Sequence, residues 1–245
     1  MKITGIIPAR YKSSRFPGKP LADICGKPMV WWVYSQSKKV KEFDAIYVAT
    51  DSEQIRVACD DLCIPVIMTS EEHVDCIDRA GEVARKIQSD IYVLIQGDEP
   101  MIEPETIRSA IAPFYQNNSI SVTNCMTKIR NPVDLINPTV PKVLTNKEGV
   151  GVFLSRAATP FPKGRIDIDF YKQVCVYGFR PEALEFFCSK ERGKIEEIED
   201  IGILRYIENG YKVQFIEVES DTIAVDTPND LQIVKGIMQK YTDIN

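Results

Sequence analysis

Short apolar runs punctuate the first hundred residues, and between them apolar positions recur at helical spacing. Residues 3–7 (ITGII), 45–50 (AIYVAT), 65–68 (PVIM) and 91–95 (IYVLI) read as strands buried on both faces, too short for anything else. Residues 29–39 (MVWWVYSQSKK) read as a helix that ends on lysines, and 53–62 as a second. A third helix is expected within residues 73–88, beginning near Asp78. Strand–helix alternation with short connections predicts a parallel α/β sheet. From residue 119 the pattern changes. Strands are expected at 119–128, 142–144, 151–154 and 173–179, around a proline- and charge-containing excursion at 159–170. A short helix follows at 181–189, then helical spacing over 196–209 closed by Gly210. Residues 213–217 and 223–225 read as strands. The run DTPND (226–230) opens the last helix, with Asp226 or Thr227 as its cap and Pro228 in its first turn. No clean linker divides the chain, so a single domain over residues 1–245 is expected, with a strand-rich subdomain at about 119–180.

Composition narrows the function. A 44% hydrophobic, 27% charged chain of 245 residues suits one large α/β domain. The net charge of −5 argues against nucleic acid or an anionic membrane as the main partner. Seven cysteines without a CxxC pair favour reduced thiols in a cytoplasmic protein. No apolar stretch approaches the ~20 residues of a membrane span, and no signal-peptide pattern opens the chain. With His73 as the sole histidine and no GxSxG, a nucleophilic triad is not expected. Absence of GxGxxG after the first strand weakens a dinucleotide-binding reading.

The loop after the first strand stands out. Between Arg10 and Lys19 the chain carries Arg10, Lys12, Arg15 and Lys19, with Gly18 in the stretch and Pro8 and Pro17 fixing φ locally. A floppy solvated loop has no need of two prolines and a glycine. Strand-end loops of an open α/β sheet face the ligand crevice. Arginine forks and lysine point charges placed there suit a polyphosphate.

Two aspartates also follow strands: Asp98 after 91–95 and Asp226 after 223–225. Taken singly, one reads as a turn residue and the other as an N-cap. Together they would repel a polyphosphate in the same crevice unless a divalent cation lay between them. Magnesium is held in this way, by one or two carboxylates plus phosphate oxygens.

The segments PARYKSSRFPGKPL (8–21), VATDSE (48–53), QGDEP (96–100), LSRA (154–157) and VDTPNDL (225–231) together resemble the CMP-Kdo synthetases, the 3-deoxy-manno-octulosonate cytidylyltransferases. The resemblance runs from end to end. It implies an open, mostly parallel Rossmann-like sheet of the nucleotidyltransferase type, whose strand-rich subdomain serves dimerisation or substrate binding. It further implies a homodimeric, Mg2+-dependent enzyme that makes a CMP-sugar and pyrophosphate from CTP and a sugar acid, as in lipopolysaccharide biosynthesis. Carried over by position, Arg10, Ser13, Arg15 and Lys19 would hold the triphosphate, and Asp98 and Asp226 the metal. Arg79 and Gln96 would line the nucleotide and sugar pockets. Arg10, Lys19, Asp98 and Asp226 would form the catalytic set, and no protein nucleophile is required.

Departures from the family pattern fall mostly on the acceptor side. Asp75-Cys76-Ile77 stands where the family has Ser-Gly-Thr, Gln173 where it has a histidine, and Gly202-Ile203 where it has Glu-Gln. The arginine-rich stretch after LSRA keeps only Lys163 and Arg165. Loss of polar groups from a site that reads hydroxyls alters its discrimination. The acceptor is therefore either another sugar acid, or the usual one bound through Gln96, Arg165, Gln173, Glu199 and Asp200. Two rival readings remain. A nucleotidyltransferase for a phosphorylated acceptor would use Lys142, Lys163, Arg165 and Lys172, whereas a binding-only homologue would not need both carboxylates.

Overall fold

The computed structural model describes residues 1–13, 15–164, 168–219 and 222–242. Its first half alternates strand and helix as expected: β1 (Ile3–Ala9), the small hairpin strands β2 (Asp23–Ile24) and β3 (Lys27–Pro28), α1 (Met29–Ser37), β4 (Ala45–Thr50), α2 (Glu53–Asp61), β5 (Val66–Met68), α3 (Cys76–Lys86) and β6 (Ile91–Ile95). The second half holds α4 (Pro104–Gln116), β7 (Val122–Lys128), α5 (Pro132–Ile136), β8 (Lys142–Thr145), β9 (Gly151–Ser155), β10 (Tyr171–Phe179), α6 (Pro181–Ser189), α7 (Lys194–Glu199), α8 (Leu204–Glu208), β11 (Gln214–Glu217) and α9 (Pro228–Thr242).

The main sheet runs β11-β7-β10-β6-β1-β4-β5. β1 pairs in parallel with β4 and β6, β4 with β5, and β11 with β7. Only β10 runs against its neighbours β6 and β7, so the sheet is mixed but mostly parallel. β10 carries a bulge between Val174 and Tyr177. There the buried Asn124 amide donates to the carbonyls of both Val174 and Val176 at 2.9 Å, satisfying backbone that the ladder leaves unpaired. β8 and β9 form a hairpin attached to β10.

The continuous apolar runs are explained by burial on both faces. Ile91, Val93 and Ile95 of β6 pack into one core with α1, α2 and α4 side chains such as Val33, Ile55 and Phe114. Tyr92 and Leu94 point into the opposite core with Ile77 and Val83 of α3 and Phe187 of α6. Each such side chain contributes about 1.5–3 kcal/mol on burial, so a one-residue slip of β6 would exchange its two faces and mispack both cores. A smaller cluster seats α9 (Leu231, Val234 and Met238) on Ile24, Met29 and Val225.

Several expectations are corrected. α3 starts at Cys76 rather than near Asp78, because Asp75 caps it by accepting the Ile77 N–H at 2.7 Å. The helical spacing over 196–209 is split into α7 and α8, since Asp200 takes a left-handed φ of 50°. Residues 223–225 form no strand; the Val225 N–H donates to the Asp98 carbonyl at 2.8 Å instead. α4 and α5 were not anticipated. Among the described residues, no helix is long and apolar enough to cross a membrane.

Candidate active site

The carboxyl ends of β1 and β6 open into a cleft of about 440 Å³. Their close approach needs Gly97, where a Cβ would lie 2.5 Å from the Pro8 carbonyl oxygen. The cation loop leaves β1 at Arg10 and folds back on itself, with the Gly18 N–H donating to the Tyr11 carbonyl at 2.8 Å. A single turn, Lys19–Leu21, then places the Lys19 side chain inward, 13% exposed.

Lys19 Nζ joins the two aspartates. It donates to Asp98 Oδ2 at 2.7 Å and to Asp226 Oδ1 at 3.2 Å. Arg15 Nη2 lies 3.1 Å from the same Asp226 oxygen. Burial would depress the Lys19 ammonium, but the two carboxylates outweigh it and hold its pKa above the usual lysine value. The Val225–Asp98 backbone bond keeps the two aspartate loops together. The alternative caps of α9 are resolved in favour of Thr227, which accepts the Asp230 N–H at 3.3 Å while Asp230 accepts those of Asp226 and Thr227. Asp226 is thereby left to face the cations. Paired hard-oxygen donors beside an excess of cations can bind a triphosphate and a small divalent ion.

The chain matches the cytidylyltransferase family model over residues 4–217. It is 40% identical, over 96% of its length and 98% of the relative's, to the 3-deoxy-manno-octulosonate cytidylyltransferase of Geobacter sulfurreducens. The enzyme of that name from Fusobacterium nucleatum is 37% identical, with 96% of each chain covered. This chain belongs to that family. A solved CMP:2-keto-3-deoxy-manno-octonic acid synthetase complexed with CTP superposes with a TM-score of 0.94 at 32% identity, covering 98% of this chain and all of the other. The 4-diphosphocytidyl-2C-methyl-D-erythritol synthase of Anaerococcus prevotii shares the fold, with a TM-score of 0.63 at 15% identity. The chain is therefore a CTP-dependent nucleotidyltransferase of the CMP-Kdo synthetase family.

Within this cytidylyltransferase, Arg10, Ser13, Lys19, Gln96 and Asp98 line the cleft together, with Asp226 tied in through Lys19 and Arg15. Gln96 Nε2 lies 3.0 Å from Cys76 Sγ, which fixes the amide against the α3 end of the cleft. Arg79 requires a correction. Its side chain is 0% exposed and is engaged by Thr69 and, at 3.1 Å, by Asp51, so it stands behind the cleft wall rather than lining it. Burial pulls its pKa down, Asp51 opposes this, and nearby Arg10 reinforces it.

Glu199 is also committed elsewhere. Its carboxylate accepts the Ser155 hydroxyl and the Arg156 N–H, each at 2.8 Å. Arg156 in turn donates to the Glu199 and Asp200 carbonyls, so LSRA and the α7 bend hold each other. It is Asp200, at the bend, that reaches the cleft. Gln173 donates to Asn124 Oδ1 at 2.8 Å at the sheet bulge and is not among the cleft-lining residues. Arg165 lies outside the described residues.

The motif QGDEP held one more titratable group, Glu99, which residue type alone did not single out. Its carboxyl is buried and accepts the Thr222 hydroxyl at 2.7 Å. Burial pushes its pKa up to about 7, against the Thr222 hydrogen bond. A second cavity, of about 500 Å³, opens beside residues 119–122 and 210–214 and carries none of the cation–carboxylate cluster.

Proposed function

We propose that this chain transfers CMP from CTP to the anomeric hydroxyl of 3-deoxy-manno-octulosonate or a closely related sugar acid. The acceptor oxygen bonds to the α-phosphorus and gives up its proton, the α–β bridging bond breaks, and pyrophosphate leaves. The observation that carries this reading is Lys19 bridging Asp98 and Asp226 at the mouth of the β1–β6 crevice, in a chain of this family. Arg10, Ser13, Arg15 and Lys19 bind the triphosphate and stabilise charge on its oxygens and on the leaving group. Gln96 orients the nucleotide and the acceptor between the two halves of the cleft.

Asp98 and Asp226 suit Mg2+: both are carboxylates, and they already share one cation. When bound, the metal supplies charge neutralisation and orientation to the phosphates. A phosphorylated acceptor is disfavoured, because two of the cations it would need are spent. Lys142 Nζ is bonded to the Asn137, Val140 and Arg156 carbonyls, and Lys172 pairs with Asp134 at 3.0 Å. The working form is proposed to be a cytoplasmic homodimer.

The test is pyrophosphate release with CTP, Mg2+ and a panel of sugar acids that includes 3-deoxy-manno-octulosonate, beside Asp98→Asn. Acid-dependent release that falls at least ~100-fold in the variant is expected. Release that ignores the acid, or that survives Asp98→Asn intact, would overturn the proposal.

A further inference from the structure

The wall of the cleft opposite the cation loop is made by two segments far apart in sequence, the cap of α3 and the bend between α7 and α8. Asp75 lies on the first and Asp200 on the second, and both line the same cleft as Arg10 and Lys19. The Asp75 carboxyl lies directly over Gly202. A Cβ at that glycine would be 2.4 Å from Asp75 Oδ2 and 2.8 Å from its Cγ, well inside van der Waals contact. Gly202 is not among the residues with positive φ, so it is the space rather than the backbone conformation that requires a glycine there. Position 202 therefore admits the Asp75 carboxyl, and any side chain at 202 would expel it. Two of the segments at which this sequence departs from the family pattern, 75–77 and 202–203, thus meet in one contact.

The carboxyl is only half committed. Oδ1 accepts the Ile77 N–H at 2.7 Å and faces the Cys76 thiol at 3.6 Å. Among the described residues no hydrogen bond reaches Oδ2. Burial pushes the carboxyl's pKa up, opposed by the Ile77 N–H, so a ligand donor would relieve an unfavourable position. A neutral or charged donor on the ligand fits such an oxygen, whereas an apolar group would leave it unpaired.

We infer that Asp75, given room by Gly202, is a specificity-determining residue that accepts a hydrogen bond from a hydroxyl or ammonium group of the acceptor acid. This rests on the cytidylyltransferase reading above. The acceptor lies with its reacting end toward Lys19 and Asp98 and with its polar donor end toward Asp75 and Asp200. Acids that present carbon at that end are rejected because the carboxyl is then left unpaired.

The experiment compares wild type, Asp75→Ser, Asp75→Asn and Gly202→Ala by pyrophosphate release with CTP and Mg2+. The acceptors are 3-deoxy-manno-octulosonate, deoxy analogues of it, and amino-for-hydroxyl analogues. Serine and asparagine cap a helix about as well as aspartate, so melting temperatures should hold for the Asp75 variants. Asp75→Ser and Gly202→Ala are expected to raise the acceptor KM about 10-fold or more, leaving the CTP KM and kcat within about 3-fold. Asp75→Asn separates the donors: a hydroxyl-bearing acceptor keeps most of its affinity, and an ammonium-bearing one loses it. An unchanged acceptor KM in both Asp75→Ser and Gly202→Ala would overturn the inference, as would equal rises for acid and CTP, which mark a merely structural role. A wild-type enzyme without CTP turnover on any acid would overturn the cytidylyltransferase reading itself, and this inference with it.

Discussion

Replacing Lys19 by methionine removes the cation that, among the described residues, touches both aspartates, while preserving the apolar stem of the side chain. The Nζ lies 2.7 Å from Asp98 and 3.2 Å from Asp226, and the three side chains are 13%, 26% and 33% exposed. At an effective dielectric near 20, each of these contacts is worth about 5–6 kcal/mol of raw attraction. Desolvation of the ammonium cancels most of that, and Arg15 remains on Asp226, so the expected loss of folding stability is about 1–3 kcal/mol. The deficit should shrink in the presence of a divalent ion. In the wild type Mg2+ competes with a built-in cation for the aspartates, so without nucleotide the melting temperature should hardly respond to it. In Lys19→Met the carboxylates are left to repel each other, so the midpoint should start lower and climb with Mg2+. CTP affinity should meanwhile fall about 10–100-fold, the range for losing a charge-assisted contact, and Lys19→Arg should recover part of both effects. The assays are thermal melts across a MgCl2 titration and calorimetric CTP binding. A variant that melts like the wild type and responds to Mg2+ no more than it does would refute the reasoning.

Two further predictions concern the frame around the cleft. The buried Arg205 fork holds Glu196 at 2.8 and 2.7 Å, stacks 3.7 Å over the Phe187 ring and reaches Asp78 at 3.3 Å. Glu196→Gln or Arg205→Met alone should cost about 3–5 kcal/mol in urea unfolding, and the pair together much less than the sum; strict additivity would show that the two do not act as a unit. Glu82 has its pKa lowered from 4.5 to about 2: burial resists this, but hydrogen bonds from Lys86, the Ser70 N–H and His73 prevail. A folded pKa below the unfolded one contributes stability above pH ~4.5 that is lost as pH falls toward ~2. Glu82→Gln should therefore cost about 1–2 kcal/mol at pH 7, after discounting for solvent, and less at pH 3. Urea midpoints at several pH values test this, and a pH-independent gap would contradict it.

What was legible in the sequence follows from where the controlling interactions lie. β1, β4 and β6 are covered on both faces, so burial wrote itself into unbroken apolar runs. Part of the proposed site was legible for a related reason: Arg10 and Asp98 closely follow β1 and β6, and strand ends in such a sheet converge on one crevice, whereas Lys19 and Asp226 reach it through the folded-back loop and the Val225–Asp98 backbone bond. α4 was harder to see because Pro104 opens it and Pro113 lies inside it, which interrupts the local helical signal although Ile107, Ala110 and Ile111 are buried. The α7–α8 break depends on one left-handed residue, Asp200, that the spacing of apolar residues does not report. Arg79 and Glu199 were misplaced for a different reason. Their residue types fit a pocket, but their partners Asp51, Thr69, Ser155 and the Arg156 N–H are brought to them only by the tertiary fold.

The same geometry gives the two walls of the cleft different supports. The Lys19 side is built from strand ends and the Asp98–Val225 backbone bond, with Lys19 locked between the aspartates. A substitution there disturbs charge pairs and the central sheet at once. The opposite wall hangs from the α3 cap and the α7–α8 bend, which the Arg205–Glu196 pair and the Arg156–Glu199 contacts fix from behind. Those supports do not include Asp75 or Gly202. Asp75 caps α3 through the Ile77 N–H, so exchanges there that keep a cap, such as serine or asparagine, leave these supporting bonds and the Lys19 side of the cleft intact. On the proposed reading, substitutions at the α3 cap and the α7–α8 bend should therefore move acceptor affinity, and those at Lys19, Asp98 and Asp226 should move CTP binding.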